Sequence, residues 1–179
     1  MHSKALEEFR ASLRSVELPK EYLGLTGEYA VATELFRRGI YAQITLGKHK
    51  RADLLAETET GMVRIQVKAK QGSEWPGCRG IHGQDIALVL VDFEGRRENE
   101  SPDFYILDSE DWSSLVKREY ASQISTGELV VDDENIPIWV KNKEGRPLRR
   151  PYKGIGVLVS QVSAYKEGWD KIKTMLGNG

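Results

Sequence analysis

Apolar and polar positions alternate through the middle of the chain, in the stretch ADLLAETETGMVRIQVKAK over 52–70. If a two-residue turn closes at Glu59-Thr60 or Thr60-Gly61, then Leu54, Ala56, Val63, Ile65, Val67 and Ala69 share one face of a strand pair. That predicts strands over 52–57 and 62–70. Upstream, Leu6, Phe9 and Leu13 recur at helical spacing over 3–16, and Pro19 interrupts the pattern. A second helix is predicted over 21–38, with Leu25, Tyr29, Ala32, Leu35 and Phe36 on its apolar stripe and Gly39 as its stop. A strand over 40–45 follows. Residues 71–83 are glycine-rich and read as a loop or short irregular crossover.

The run IALVLVDF over 86–93 is apolar at nearly every position, as a strand buried on both faces requires. A polar turn over 94–101 leads to a strand over 103–107, and Asp108-Ser109 caps a helix carrying Trp112, Leu115 and Val116. Short strands are expected at 129–131 and 138–140. A C-terminal helix over 163–176 places Tyr165, Trp169, Ile172 and Leu176 on one stripe. Helices flanking a run of strands predict an α/β fold, a sandwich around a mixed central sheet.

Composition narrows the partners. A chain of 179 residues, 40% hydrophobic and 30% charged, suits a single domain over 1–179, with an N-terminal helix in 1–18 and a C-terminal elaboration over 127–179. A net charge of -1 gives no bulk attraction for nucleic acid, so such binding needs a local basic face. Cys78 is the single cysteine, which excludes an internal disulfide and a cysteine-based zinc cluster and fits a reducing, cytoplasmic setting. The first residues lack the apolar stretch of a secretion signal, and no run is long enough to span a bilayer.

The polar face of the strand pair carries the chemistry. Asp53, Gln66 and Lys68 fall on it together, and Glu28 lies within the apolar stripe of the second helix, where an unpaired carboxylate is costly. A hard divalent cation is held by one or two carboxylates plus neutral oxygens. Asp53 is the expected primary ligand, with Gln66 and the Val67 carbonyl as further oxygens and Glu28 holding a water on the metal. Lys68 would orient the attacking water or offset phosphate charge. These roles make Mg²⁺, or Mn²⁺, the expected cofactor.

Basic residues gather near the same site: Lys48, His49, Lys50 and Arg51 before Asp53, Lys70 after Lys68, and Arg79 in the crossover. Lys48, Lys50, Arg51, Lys70 and Arg79 are candidate contacts to nucleic-acid phosphates, and RPLRRPYK over 146–153 forms a second basic patch. His49 and His82 lack spaced ligand partners and are expected at the surface, and Cys78 has no neighbouring base. Among the tryptophans, Trp112 and Trp169 fit helical core stripes, which leaves Trp75, beside Pro76, as a candidate stacking contact.

The succession TGEYAVATELFRRGI, RADLLAE and RIQVKAK resembles the PD-(D/E)xK, restriction-endonuclease-like nuclease superfamily. Within it, the QVK third motif is similar to archaeal-type Holliday-junction resolvases and restriction-like homing endonucleases. The resemblance is best over 25–71, and the later strands and the YKEGWDKI segment are compatible with it. It implies an αβββαβ core and a Mg²⁺-dependent DNA endonuclease. By motif, Glu28 corresponds to the helix carboxylate, Asp53 to the motif aspartate, Gln66 to the second ligand and Lys68 to the catalytic lysine. Gln66 stands where Glu or Asp is commoner, so a catalytically inactive module binding nucleic acid or protein is the alternative. Cutting both strands with one site per chain calls for a homodimer or higher oligomer.

Overall fold

The computed structural model describes residues 17–45 and 52–177. The helix expected over 3–16, together with Lys48, His49, Lys50 and Arg51, lies outside the described residues. Helix α1 (Lys20–Arg37) leads into strands β1 (Tyr41–Ile44), β2 (Leu54–Glu57) and β3 (Met62–Lys70). Thr58 donates its N–H to the Gly61 carbonyl and Glu57 pairs with Met62, so the hairpin turns at Glu59-Thr60. Strand β4 (Glu74–Cys78) then precedes β5 (Ile86–Asp92) and β6 (Asp103–Leu107). The central sheet runs β1-β2-β3-β5-β6 and is antiparallel except where β3 and β5 pair in parallel, so it is mixed.

Apolar clusters cover the two faces of this sheet, giving an α/β sandwich of three layers. On the first face Val31, Ala32 and Leu35 of α1 pack on Ile65, Val67, Val89 and Val91, joined by Ile172 and Leu176 of the C-terminal helix. On the second, Leu88, Leu90, Tyr105 and Leu107 lie under α2 (Ser109–Glu119), β4 and a late strand. Asp108 caps α2 as the sequence indicates: its carboxylate accepts the Asp111 N–H, and Asp111 returns the bond to the Asp108 N–H. After the short helix α3 (Ala121–Ser125), strands β7 (Leu129–Val131), β8 (Pro137–Lys141) and β9 (Pro147–Lys153) form a separate three-stranded sheet. Strand β10 (Ile155–Leu158) pairs with β4, and α4 (Val159–Val162), a 3-10 turn (Ser163–Tyr165) and α5 (Asp170–Gly177) complete the order. Among the described residues no helix is long and apolar enough to cross a membrane.

Three expectations are corrected, and one stretch gains an element. The stretch over 71–83 contains β4, not a loop alone, and the parallel β3-β5 step crosses through this strand where the resemblance implies a helix. The expected helix over 163–176 breaks, because the Glu167 N–H is taken by the Phe104 carbonyl of β6 and Glu167 adopts a left-handed conformation at φ 54° before Gly168. The basic run RPLRRPYK keeps its exposed charges and supplies strand β9 from Pro147 onward, with Pro147 and Pro151 on a sheet edge, where missing N–H groups cost nothing. Finally, α1 is turned so that Gly27, Val31, Ala32 and Leu35 are buried, while Leu25, Tyr29 and Phe36 stand exposed with Tyr22.

Candidate active site

The site begins with how the start of β2 is held. Asp53 donates its backbone N–H to the Ile65 carbonyl of β3 at 2.8 Å, and its own carbonyl accepts the Thr45 N–H at 2.9 Å and the Thr45 hydroxyl at 3.2 Å. Leu54 pairs with Ile65, so Asp53 sits one register step away, beside Gln66. Beyond that point, among the described residues, β2 supplies no backbone partner to β3. The Asp53 carboxylate does so instead, its Oδ2 accepting the Val67 N–H at 2.7 Å. Strand geometry directs the Val67 carbonyl to the same edge.

Glu28 arrives from the opposite layer. Gly27 is the reason α1 comes so close, since a Cβ there would lie 2.8 Å from the Ala69 Cβ and 3.4 Å from Val67 Cγ1. Glu28 therefore meets β3 at its site-bearing half, within the interaction range of Asp53. Burial first, and then the Asp53 charge, push its carboxyl above the usual range. Neither carboxylate is engaged by a lysine or arginine among the described residues. Two like charges in part-buried surroundings without a cation are a site whose chemistry fits an absent one.

Gln66 and Lys68 lie on the second face of β3, in register with Leu88 and Leu90. Those leucines are fully covered, but Gln66 and Lys68 are half-buried, because the covering layer ends at β3. Glu28 and Asp53 are thus brought together, and Gln66 and Lys68 stand on the adjoining open half of the sheet. Among the described residues no group of three or more His, Cys, Asp or Glu side chains forms a cation site. The donor set is two carboxylates, with the Gln66 amide and the Val67 carbonyl as neutral oxygens.

The expected basic face changes in membership. Lys70 is not a surface contact: it is 2% exposed, and its ammonium lies 2.7 Å from Asp92, 2.8 Å from Glu94 and 2.9 Å from the Gly72 carbonyl. Arg79 is exposed, as expected of a phosphate contact. Trp75 is buried, donates Nε1–H to the Val91 carbonyl at 3.0 Å and covers Lys70 at 4.8 Å, so it is no stacking platform. Cys78 is buried, with its thiol pushed up to about 12 by burial. His82 is exposed. Sequence reasoning missed Gly27, although a glycine inside a helical pattern is itself a signal of close backbone approach.

Among solved structures, the chain is similar to that of a bacterial homing endonuclease, I-Ssp6803I, at 16% sequence identity, covering 87% of this chain and 93% of that chain with a TM-score of 0.42. No family model and no curated protein matches the chain.

Proposed function

We propose that this chain is a metal-dependent DNA endonuclease of the restriction-endonuclease-like kind, hydrolysing phosphodiester bonds. The observation that carries the reading is the Glu28–Asp53 pair: two carboxylates from different layers, close enough that Asp53 raises the Glu28 carboxyl, with no protein cation between them among the described residues. Asp53 and Glu28 would hold Mg²⁺ or Mn²⁺, with Gln66 and the Val67 carbonyl as neutral ligands. When bound, that ion supplies Lewis acidity toward the phosphate and lowers the pKa of water. Lys68 offsets charge developing on the phosphate, and Glu28 orients the attacking water.

Gln66 in place of a third carboxylate leaves Glu28, Asp53 and Lys68 as the site's charges, a sum of -1. A divalent cation turns that to +1, matched to one phosphodiester anion. The same glutamine favours the alternative, a module that binds without turnover. Cleavage of plasmid, junction and flap DNA in Mg²⁺ separates the two. Activity is expected in the wild type and lost in Lys68→Ala, and equal cleavage by both proteins would remove the mechanism. A thermal-shift measurement reads the metal directly: Mg²⁺ should raise Tm in the wild type and not in Asp53→Asn. Gln66→Glu should bind the ion more tightly if the site is a working one.

Double-strand cutting with one site per chain requires a second copy. The exposed stripe Tyr22, Leu25, Tyr29 and Phe36 on α1 offers the apolar surface for it. A monomeric mass by light scattering at micromolar concentration would remove this part of the reading.

A further inference from the structure

The three-stranded sheet β7-β8-β9 is separate from the central sheet that carries Gln66 and Lys68, and its last two strands gather positive charge. Lys141, Lys143, Arg146, Arg149, Arg150 and Lys153 lie in a stretch whose one carboxylate is Glu144, on a chain of net charge -1. Among the described arginines outside this stretch, Arg37 and Arg38 pair with Glu34, Arg64 with Asp85, Arg96 with Asp103, Arg97 with Glu100 and Arg118 with Glu119, and only Arg79 has no carboxylate partner. Arg146, Arg149 and Arg150 are exposed and have no ion-pair partner among the described residues. Lys153 alone of the group is paired, loosely, with Asp132 at 3.4 Å.

The scaffold beneath these cations is ordered. Asn142 Oδ1 accepts the N–H groups of Glu144 and Arg146, closing the β8-β9 turn, with Gly145 at φ 74°. The Trp139 ring stacks on Tyr152 with centroids 6.1 Å apart and planes at 20°, and Tyr120 packs edge-on against Trp139. The charges are not needed to protect the free edge of β9, because Pro147 and Pro151 already deny it two donors. Unpaired arginines on a pinned strand are a surface built for an external anion.

The spread of the cations selects an extended polyanion. Arg149 and Lys153 share one face of β9, four residues or about 13 Å apart, and Arg150 lies on the other face with Tyr152. A DNA strand presents a phosphate every ~3.4 Å of helix axis, so cations set this far apart reach separate phosphates of one backbone. Guanidinium forks bind phosphate oxygens in pairs, and the exposed Tyr152 ring adds a flat surface for sugar or base. We propose that the β8-β9 hairpin is a second DNA contact, a sequence-independent clamp on the phosphate backbone outside the cleavage site. This rests on the nuclease reading for its ligand but not on any residue of the carboxylate site.

The test measures binding of a fluorescent DNA duplex by anisotropy in EDTA, over a range of KCl. Arg149→Gln/Arg150→Gln should bind at least about tenfold more weakly, with the slope of log K against log salt reduced by about 1.8, two released phosphate contacts at about 0.9 each. Lys117→Gln, an exposed lysine on α2, should leave both unchanged, and the Tm of the double variant should equal that of the wild type. Lys68→Ala should cleave nothing. If the double variant keeps the wild-type affinity and slope, the clamp is overturned and the nuclease reading stands. If Lys68→Ala cleaves normally while the double variant binds poorly, the catalytic reading fails and the clamp stands. Arginine-dependent binding to phosphatidylserine vesicles, with none to DNA, also overturns the clamp.

Discussion

Replacing Gly27 with alanine tests whether Glu28 is placed by close helix-sheet packing. The new methyl would sit 2.8 Å from the Ala69 Cβ and 3.4 Å from Val67 Cγ1. Carbon atoms prefer about 3.5–4.0 Å, so α1 and β3 must separate by about 1 Å. The Ala69 Cβ is fixed to the strand backbone and cannot rotate away. Overpacking of this kind costs about 1–3 kcal/mol, and alanine returns about 1 kcal/mol of helix propensity over glycine. Gly27→Ala should therefore range from neutral to about 2 kcal/mol less stable in urea denaturation. Its effect on chemistry should be larger, because a catalytic group moved by 1 Å loses on the order of 100-fold in rate. Adding Ala69→Gly removes the opposing methyl, at about 0.5–1 kcal/mol of strand stability, and should restore most of the Mg²⁺-dependent cleavage rate. A Gly27→Ala protein that is about 1 kcal/mol more stable and cleaves at full rate would refute the packing that brings Glu28 to Asp53.

Two further outcomes follow from the charges. Burial, and then Asp53, raise the Glu28 carboxyl from its ordinary 4.5, so the folded protein holds that proton more tightly than the unfolded chain. The stability linked to it is full below 4.5 and is lost as pH rises through the raised folded value. Glu28→Gln should therefore gain Tm over the wild type on going from acid to neutral pH in metal-free buffer, and an advantage that shrinks instead would contradict the assigned surroundings. Lys70→Ala strands the buried Asp92 carboxylate and should cost about 3 kcal/mol or more by urea denaturation, whereas Lys68→Ala should change stability by less than about 0.5 kcal/mol.

The sheet was legible because its signals are local. Alternation over 62–70 and the unbroken apolar run from Ile86 match β3 and β5, and the parity of Asp53 against Gln66 follows from the turn at Glu59-Thr60. The face of α1 was harder to read, because it is apolar on two sides. Tyr22, Leu25, Tyr29 and Phe36 form as good a stripe as Val31, Ala32 and Leu35, and only the approach permitted by Gly27 decides between them. Glu28 was read as core-facing despite this, since it lies between the directions of Ala32 and Leu35. Strand β4 was hidden by Pro76 and Gly77, and its partner β10 is far along the chain, so no short window contains the reason for its pairing. The same distance concealed the fate of Lys70, whose carboxylates come from the end of β5 and the turn after it.

Gln66, Lys68 and Lys70 share one parity of β3 yet meet three different surroundings, and the parallel pairing with β5 explains the difference. A parallel step demands a crossover, and here Lys70 anchors it, donating to the Gly72 carbonyl and binding Asp92 and Glu94 across the strand end. Trp75 then closes over the ammonium, and β4 is laid down as far as Cys78, whose sulfur comes near Lys68. Burial keeps that thiol protonated, so it gives Lys68 no counter-charge. No carboxylate pairs with Lys68 among the described residues either. The ion pair that removes Lys70 from the candidate phosphate contacts lies where the covering layer ends, and the next lysine of the same face, Lys68, has no carboxylate partner among the described residues.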